Sequence, residues 1–430
     1  MGQRQFLGSG RVAAGASTPG PSTSQGTPQG QSWRKSDYAV LDEVLRQPVL
    51  KCDLFNDPVI IESLELLRDR GNCLYRVRSK DGVEGISAGH PFNAEVSYPM
   101  VPKTLEHHFV GKDARDLDQL TFNAVEHNVK RQGIPLNIHV AGIEFAILDM
   151  LGIIADKPAG LLIGDVLNPE IEIYLGHHLG SFRWEEPEVS LEKMHRDVVA
   201  TEAKAVKLRA GTGDNLGLDR EPAPGRTEKL IRMAREKFGA EMTLMIDGNG
   251  TYSVEGAIRL GKLLEEHRFA FYEEPLPWDW YEEQKWVETA LSIPMAGGEE
   301  EFGMHAFRYL VANEVFQILQ PDTFYFGGMI RSMKVARMCE AAGLQITPHI
   351  SGGGLGFLYM LHMVSVCPAP YRFHEFKMFG TGDANGTTIP IESKGRPFES
   401  RDGKIFTPTG PGLGVTIDPE YINTHTAFKG

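Results

Sequence analysis

Cysteine is scarce in this chain, with four residues in all, and Cys52, Cys73, Cys339 and Cys367 form no CxxC pair and no Cys-His cluster of the kind that holds zinc. They read as buried thiols, which excludes a disulfide framework. Long apolar runs are missing as well: no stretch approaches the roughly 20 residues needed to cross a bilayer, so no membrane partner is expected. Positive charge is in deficit. A formal net charge of −13, with no Lys/Arg-dense segment to offset it, repels a phosphate backbone and argues against nucleic acid as a partner.

What is present is ordinary for a globular body, 41% hydrophobic and 23% charged, which leaves no room for a fibrous or wholly disordered reading. A chain of 430 residues outgrows one small core, so a large barrel with a second packed unit is the expectation. Residues 1–33 are set apart. Rich in Gly, Ser, Thr, Gln and Pro, they bury too little surface to order themselves and read as a disordered tail. Within them Arg4-Gln5-Phe6-Leu7 resembles a twin-arginine export signal in which Gln3 replaces one arginine and Arg11 interrupts the apolar part. A vestigial tail on a cytoplasmic protein is the plain reading, and export is the alternative.

From Val59 an apolar run reaches Leu67, followed by the turn-like Arg68–Asn72, a second run from Cys73 to Ser79 and the turn Asp81-Gly82, the pattern of a hairpin. Between Ile138 and Ile154, Val140, Ile143, Ala146, Ile147 and Met150 recur at helical spacing. These segments predict an α+β unit over residues 34–160. Beyond it, short apolar strands alternate with helical patterns: 171–176, 205–208, 242–246, 269–272, 294–297, 316–319, 344–347 and 371–374. Such alternation implies parallel strands with crossover helices, and eight units close into a TIM-type (β/α)8 barrel, here over 161–383. After about residue 384 the alternation stops, and 384–430 reads as short strands returning to the N-terminal unit.

In such a barrel, chemistry gathers at the C-terminal ends of the strands. Lys207-Leu208-Arg209 ends the second strand, Asp247-Gly248-Asn249 the third, Glu273-Glu274-Pro275 the fourth, Gly298-Glu299 the fifth, Asp322 the sixth, Pro348-His349 the seventh and His374-Glu375 the eighth. Any one of these acids alone would read as a helix cap or a solvated loop residue. Asp247, Glu273 and Glu299 together would converge from three adjacent strands, and three carboxylates stay ionised there only with a cation. Oxygen ligands select a hard ion, Mg²⁺ first, with Mn²⁺ or Ca²⁺ as substitutes. Lys207 and Arg209, two apart on a strand, point the same way into the mouth, and the fixed charge of Arg209 is expected to depress the lysine and favour a neutral amine. Opposite them, Asp322 one unit before His349 would orient that imidazole as an acid or base.

The ordered set from Lys207-x-Arg209 through Pro348-His349, with Gly327-Gly328 after Asp322, resembles the enolase superfamily, mandelate racemase subgroup. The resemblance extends over nearly the whole chain after about residue 55. It takes in Ile143–Asp149 and Leu161–Gly164 ahead of the barrel and Gly410–Gly414 in the tail. It implies a barrel capped by an N-terminal α+β lid, Mg²⁺ on Asp247, Glu273 and Glu299, a structural Glu274, and a His349–Asp322 dyad. Glu375 is the implied acid against the substrate carboxylate, and dimers or octamers are implied as assemblies. The implied chemistry is removal of a proton next to a carboxylate, with the metal, Lys207, Arg209 and Glu375 stabilising the enediolate charge; the general pattern of a Lys or His base with one or two Mg²⁺ ions is the one named for enolase-superfamily sites.

One departure from the resemblance directs the choice of reaction. Many members that work on both faces of the substrate carry Lys-x-Lys, whereas Arg209 cannot accept a proton at neutral pH. One-sided chemistry by His349 is therefore expected: α-proton abstraction followed by loss of a β-hydroxyl, which is dehydration of an acid sugar to a 2-keto-3-deoxy acid. The alternatives are a racemase or epimerase with Lys207 and His349 on opposite faces, and a non-catalytic sugar-acid binding or assembly protein. His177, just after the first strand, and Asn249 are candidate substrate contacts. With so short a turn at Arg68–Asn72, cover for the site is expected from residues 90–100 or 36–57.

Overall fold

The computed structural model describes residues 35–91, 93–176, 184, 186–213, 217–351, 355–376, 389–393 and 398–428. Its N-terminal unit is built on three antiparallel strands, β1 (Ile61–Asp69), β2 (Asn72–Ser79) and β3 (Glu84–Ala88). Arg70 and Gly71, both at positive φ, make the tight turn between the first two. Against this sheet lies the helix Ile134–Ala155.

That helix corrects one expectation from the sequence. It is long and apolar enough by composition to span a bilayer, although 83% of its most apolar window is buried inside the fold, so it is a core helix. Four polar residues interrupt it in sequence, and each meets a partner from another segment. Asn137 bonds Phe302 and Tyr325, and His139 bonds Tyr75 and Ser97; Glu144 bonds Ile330, and Asp149 bonds Ile86 and Leu413. The cysteines need a second correction. Cys73, Cys339 and Cys367 are buried, but Cys52 is exposed, because it falls in the short turn Cys52–Leu54 rather than in a packed element.

The barrel strands are β4 (Glu170–Gly176), β5 (Ala205–Arg209), β6 (Thr243–Asp247), β7 (Tyr272–Glu273), β8 (Met295–Gly297), β9 (Ile318–Leu319), β10 (Gln345–Ile346) and β11 (Phe373–Phe376). All the strands expected from the apolar runs are present. They pair in parallel in the order β10-β9-β8-β7-β6-β5-β4-β11. Closure falls between β10 and the lead-in to β11, where Ile346 N–H donates to Ala369 O at 2.9 Å and Tyr371 N–H donates to Ile346 O at 2.8 Å. Crossover helices such as Arg226–Phe238 and Val254–Glu266 cover the outside; the second starts at Ser253, whose Oγ accepts the Gly256 N–H at 3.1 Å.

The tail divides its contacts. β12 (Ile391–Ser393) and β14 (Val415–Ile417) pair with each other, β13 (Lys404–Phe406) runs antiparallel to β4 of the barrel, and β15 (Thr426–Phe428) adds to β1 of the cap. Of the two segments expected to cover the site, 36–57 lies elsewhere. Asp42 pairs with Arg308, and the carbonyls of Leu45 and Pro48 accept from Lys334 and Arg337, which binds this segment to the outer helices Met304–Ala312 and Met329–Ala342.

Candidate active site

Alternation along each strand sorts the barrel interior into tiers. Ala205, Met245, Phe271, Ile318 and Phe373 pack together inside as an apolar tier. Two residues further along the same strands, and therefore facing the same way, stand Lys207, Asp247, Glu273, Gln320 and Glu375, none more than 1% exposed. Glu375 has room because Gly176 on the neighbouring strand lacks a side chain; a Cβ there would come within 2.6 Å of Glu375 Oε1.

Asp247, Glu273 and Glu299 converge as the sequence predicts. One oxygen from each lies within 4.8 Å of the others, and all three residues are buried. Asp247 Oδ1 accepts the Asn249 N–H at 2.8 Å, while Asp247 Oδ2 and Glu299 Oε2 are buried and take no hydrogen bond. Arg209 Nη1 does reach Asp247 Oδ2 as an ion pair, but outside hydrogen-bond geometry. Oxygen-only donors with unsatisfied lone pairs fit a hard divalent cation, so the residues present suit Mg²⁺. Glu274, at φ 33°, turns away from this point, and its Oε1 accepts the N–H groups of Gly298 and Glu299 at 2.9 and 3.1 Å.

Across the mouth, His349 Nδ1 lies 2.9 Å from Asp322 Oδ2, and the same oxygen accepts the Ser351 N–H at 2.5 Å. Asp322 Oδ1 accepts the N–H groups of Phe324 and Tyr325 at 2.8 and 2.9 Å. Burial works against this carboxylate, yet the His349 contact and the N–H donors outweigh it and hold its pKa below the usual range. His349 Nε2 faces inward, 3.5 Å from Glu299 Oε2 and 3.9 Å from Glu375 Oε2.

Lys207 departs from the sequence-based expectation. Burial opposes its charge, but Glu273, Tyr174 and Glu375 outweigh that, and its pKa moves up; the opposing effect of Arg209 is smaller. The reason is position. Lys207 Nζ is bonded to Glu273 Oε1 and lies 3.7 Å from Asp247 Oδ2, whereas the Arg209 guanidinium is taken up by Asp247 and Asn249. The ammonium is therefore the stable form in this structure.

Asn249 stands within the cluster, its Nδ2 donating to Glu299 Oε1 at 3.3 Å. His177 lies outside the described residues. Sequence reading missed three residues here. Gln320 is buried and donates to Glu273 Oε2 at 2.9 Å; its place two residues after Ile318 was the available signal. Glu300 is pushed well above the carboxylate range, first by burial and then by Glu274 and Glu299. Tyr325 sits under His90 of the cap, the rings stacked at 5.5 Å. Nothing in a single sequence marks those last two.

A closed (β/α)8 barrel under an α+β cap, with three strand-end carboxylates meeting opposite a His–Asp pair, is the architecture of the enolase superfamily. The chain belongs to that family, and the profile described as Enolase C-terminal domain-like matches residues 190–421. It is similar to D-galactarolactone cycloisomerase of Agrobacterium fabrum, 26% identical over 321 residues, which are 73% of this chain and 80% of that one. It is also similar to arabinonate dehydratase of Saccharolobus solfataricus, 26% identical over 292 residues, 67% of this chain and 71% of the relative. Among solved structures, a mandelate racemase/muconate lactonizing protein from Paracoccus denitrificans complexed with magnesium shares the fold. Its TM-score is 0.74 at 23% identity, over 86% of this chain and 99% of that one. A Roseobacter denitrificans protein, provisionally described as a racemase, superposes with a TM-score of 0.78 at 28% identity, over 86% and 99% of the two chains.

Proposed function

We propose that the chain is a Mg²⁺-dependent dehydratase of acid sugars, removing the proton next to the substrate carboxylate and then a β-hydroxyl to leave a 2-keto-3-deoxy acid. The observation that carries this reading is an imidazole oriented by a carboxylate, the one such pair at the barrel mouth among the described residues. His349, fixed through Nδ1 by Asp322, presents Nε2 to the cavity, and among the described residues the opposite face offers Arg209 and a lysine held by Glu273. Asp247, Glu273 and Glu299 would hold the Mg²⁺, which when bound supplies Lewis-acid stabilisation of the negative charge that develops on the substrate carboxylate.

The rest of the chemistry falls to the side chains. His349 takes the α-proton on Nε2 and, as imidazolium, returns it to the departing hydroxyl, so water leaves and the residue is regenerated. Glu375, 3.9 Å from that nitrogen, is placed to hydrogen-bond the substrate carboxylate when protonated, and the Lys207 ammonium adds fixed positive charge. The relatives include both an arabinonate dehydratase and a cycloisomerase, and α-proton removal is consistent with either outcome.

A library of mono- and di-acid sugars incubated with Mg²⁺ tests the proposal, with semicarbazide to trap 2-keto product. Recovered substrate labelled in D₂O as a pair of epimers, without keto acid, would instead identify an epimerase using Lys207. Mg²⁺-dependent thermal stabilisation without any turnover would favour a binding protein.

A further inference from the structure

The cap reaches the dyad through an unbroken series of contacts. Asn137 belongs to the first turn of the helix Ile134–Ala155 and is 1% exposed. Its amide nitrogen donates to the carbonyls of Phe302 and Tyr325, at 3.2 and 3.0 Å, so one side chain joins the segments that follow β8 and β9. The Tyr325 N–H donates to Asp322 Oδ1 at 2.9 Å, and the other oxygen of that carboxylate holds His349 Nδ1 at 2.9 Å.

The same helix face makes a second hold. Glu144 stands seven residues after Asn137, two turns on and on the same side. Its Oε1 accepts the Ile330 N–H at 3.1 Å, and Gly328, at φ 122°, makes space for it, since a Cβ there would come within 2.4 Å of the carboxyl group. His90, just beyond β3, lays its ring on Tyr325. The segment between Asp322 and Ile330 is thus gripped at two points, Tyr325 and Ile330, by one rigid element of the cap, and at the first of them by a ring as well.

The residue type at 137 is informative. Only a side chain with two N–H donors bridges two carbonyls, and Asn137 uses both while its Oδ1 takes no hydrogen bond. A buried acceptor without a partner is unfavourable, so packing alone does not account for an amide here. We propose that Asn137 is a positioning residue for proton transfer: by fixing Tyr325 it sets the Asp322 carboxylate, and through it the direction and tautomer of His349. This rests on the role given above to the dyad, and it makes the cap part of the acid–base apparatus.

The test compares the full chain with Asn137→Leu and Asn137→Asp, the second keeping the shape should the first not fold. The primary readout needs no substrate: the downfield proton resonance of the His349 Nδ1–H···Asp322 bond, assigned by its loss in His349→Asn. We expect it to shift or broaden in both variants, and kcat on the turned-over acid sugar to fall on the order of 10–100-fold with KM unchanged. A resonance that stays in place in a folded variant overturns the inference whatever the kinetics. A fall in kcat matched by a rise in KM overturns it too, because the lesion would then be general. Failure of the wild type to act on any acid sugar would count against the proposed function alone, since the resonance still decides the role of Asn137.

Discussion

The Nε2 of His349 stands 3.5 Å from Oε2 of Glu299, so the candidate base and one candidate metal ligand share an edge of the pocket. Proton removal and charge stabilisation are thereby brought to adjacent atoms of one substrate, but the two functions sit on separate side chains and are separable by mutation. His349→Asn should lower α-proton exchange in D₂O by at least about 100-fold and leave the Mg²⁺ affinity, measured by titration calorimetry, unchanged. Exchange at the wild-type rate would remove the dyad from the mechanism.

The three carboxylates should behave differently when neutralised, because only Glu273 is directly bonded to the buried Lys207 ammonium. Glu273→Gln leaves that ammonium without its bonded carboxylate, with Asp247 at 3.7 Å as its nearest remaining ion pair, a loss expected to destabilise the metal-free protein by about 3–5 kcal/mol. Burial works against the charge of Glu299 too, but His349, Lys207 and Arg209 outweigh it and hold its pKa below the usual range, so Glu299→Gln loses that attraction. It should still be milder, because Lys207 is bonded to Glu273 and the Glu299 Oε2 takes no hydrogen bond. Both variants should lose the Mg²⁺-dependent stabilisation, about 2.7 kcal/mol at a hundred times Kd for an intact site. Equal destabilisation in the absence of metal would show that the Lys207–Glu273 pair is not the one that matters.

Much of this site could be read from the chain because strand alternation and the strand–helix beat are local signals. Asp247, Glu273, Glu299, Asp322, His349 and Glu375 all fall within a few residues of the end of an apolar run, and the barrel brings those positions to one mouth. The charge state of Lys207 was not legible, since it depends on which neighbouring strand supplies a carboxylate and on the distance. Asn137 and Tyr325 were hidden for a similar reason: their contacts join the cap to two barrel loops far away in sequence. The long core helix escaped recognition as a continuous apolar segment because Asn137, His139, Glu144 and Asp149 break it, and only the fold reveals what each one binds.

Two of those helix residues make stability depend on pH. Burial raises Glu144 from its usual 4.5 to about 8 and Asp149 from 3.8 to about 7, against the hydrogen bonds that lower both. Between the ordinary and raised values the folded chain holds protons that the unfolded chain has lost, so this contribution is complete at low pH and disappears as pH rises through about 7 and 8. Glu144→Gln keeps an acceptor for Ile330 and removes the titration. Its unfolding free energy, followed by urea denaturation from about pH 5 to about pH 9, should decline less than that of the wild type. Parallel curves would mean that Glu144 titrates normally.

Asp149 also ties the tail to the cap, and this can be tested apart from its charge. Its Oδ1 accepts the Leu413 N–H at 2.8 Å and its Oδ2 the Ile86 N–H at 2.9 Å, so one carboxyl group joins the core helix, β3 and the C-terminal segment. Asp149→Ala leaves two N–H groups without their acceptor, and at about 1–3 kcal/mol for each the loss should be on the order of 2–6 kcal/mol. Asp149→Asn retains one accepting oxygen and should lose less. The damage should fall first on the tail, whose other holds on the cap are the Gly412 bonds to Lys157 and Ala159 and the short pairing of β15 with β1, so limited proteolysis ought to cut within 398–428 before it attacks the barrel. If Asp149→Ala loses less than about 1 kcal/mol and its tail resists protease as the wild type does, the clasp is not what holds the C-terminal segment in place.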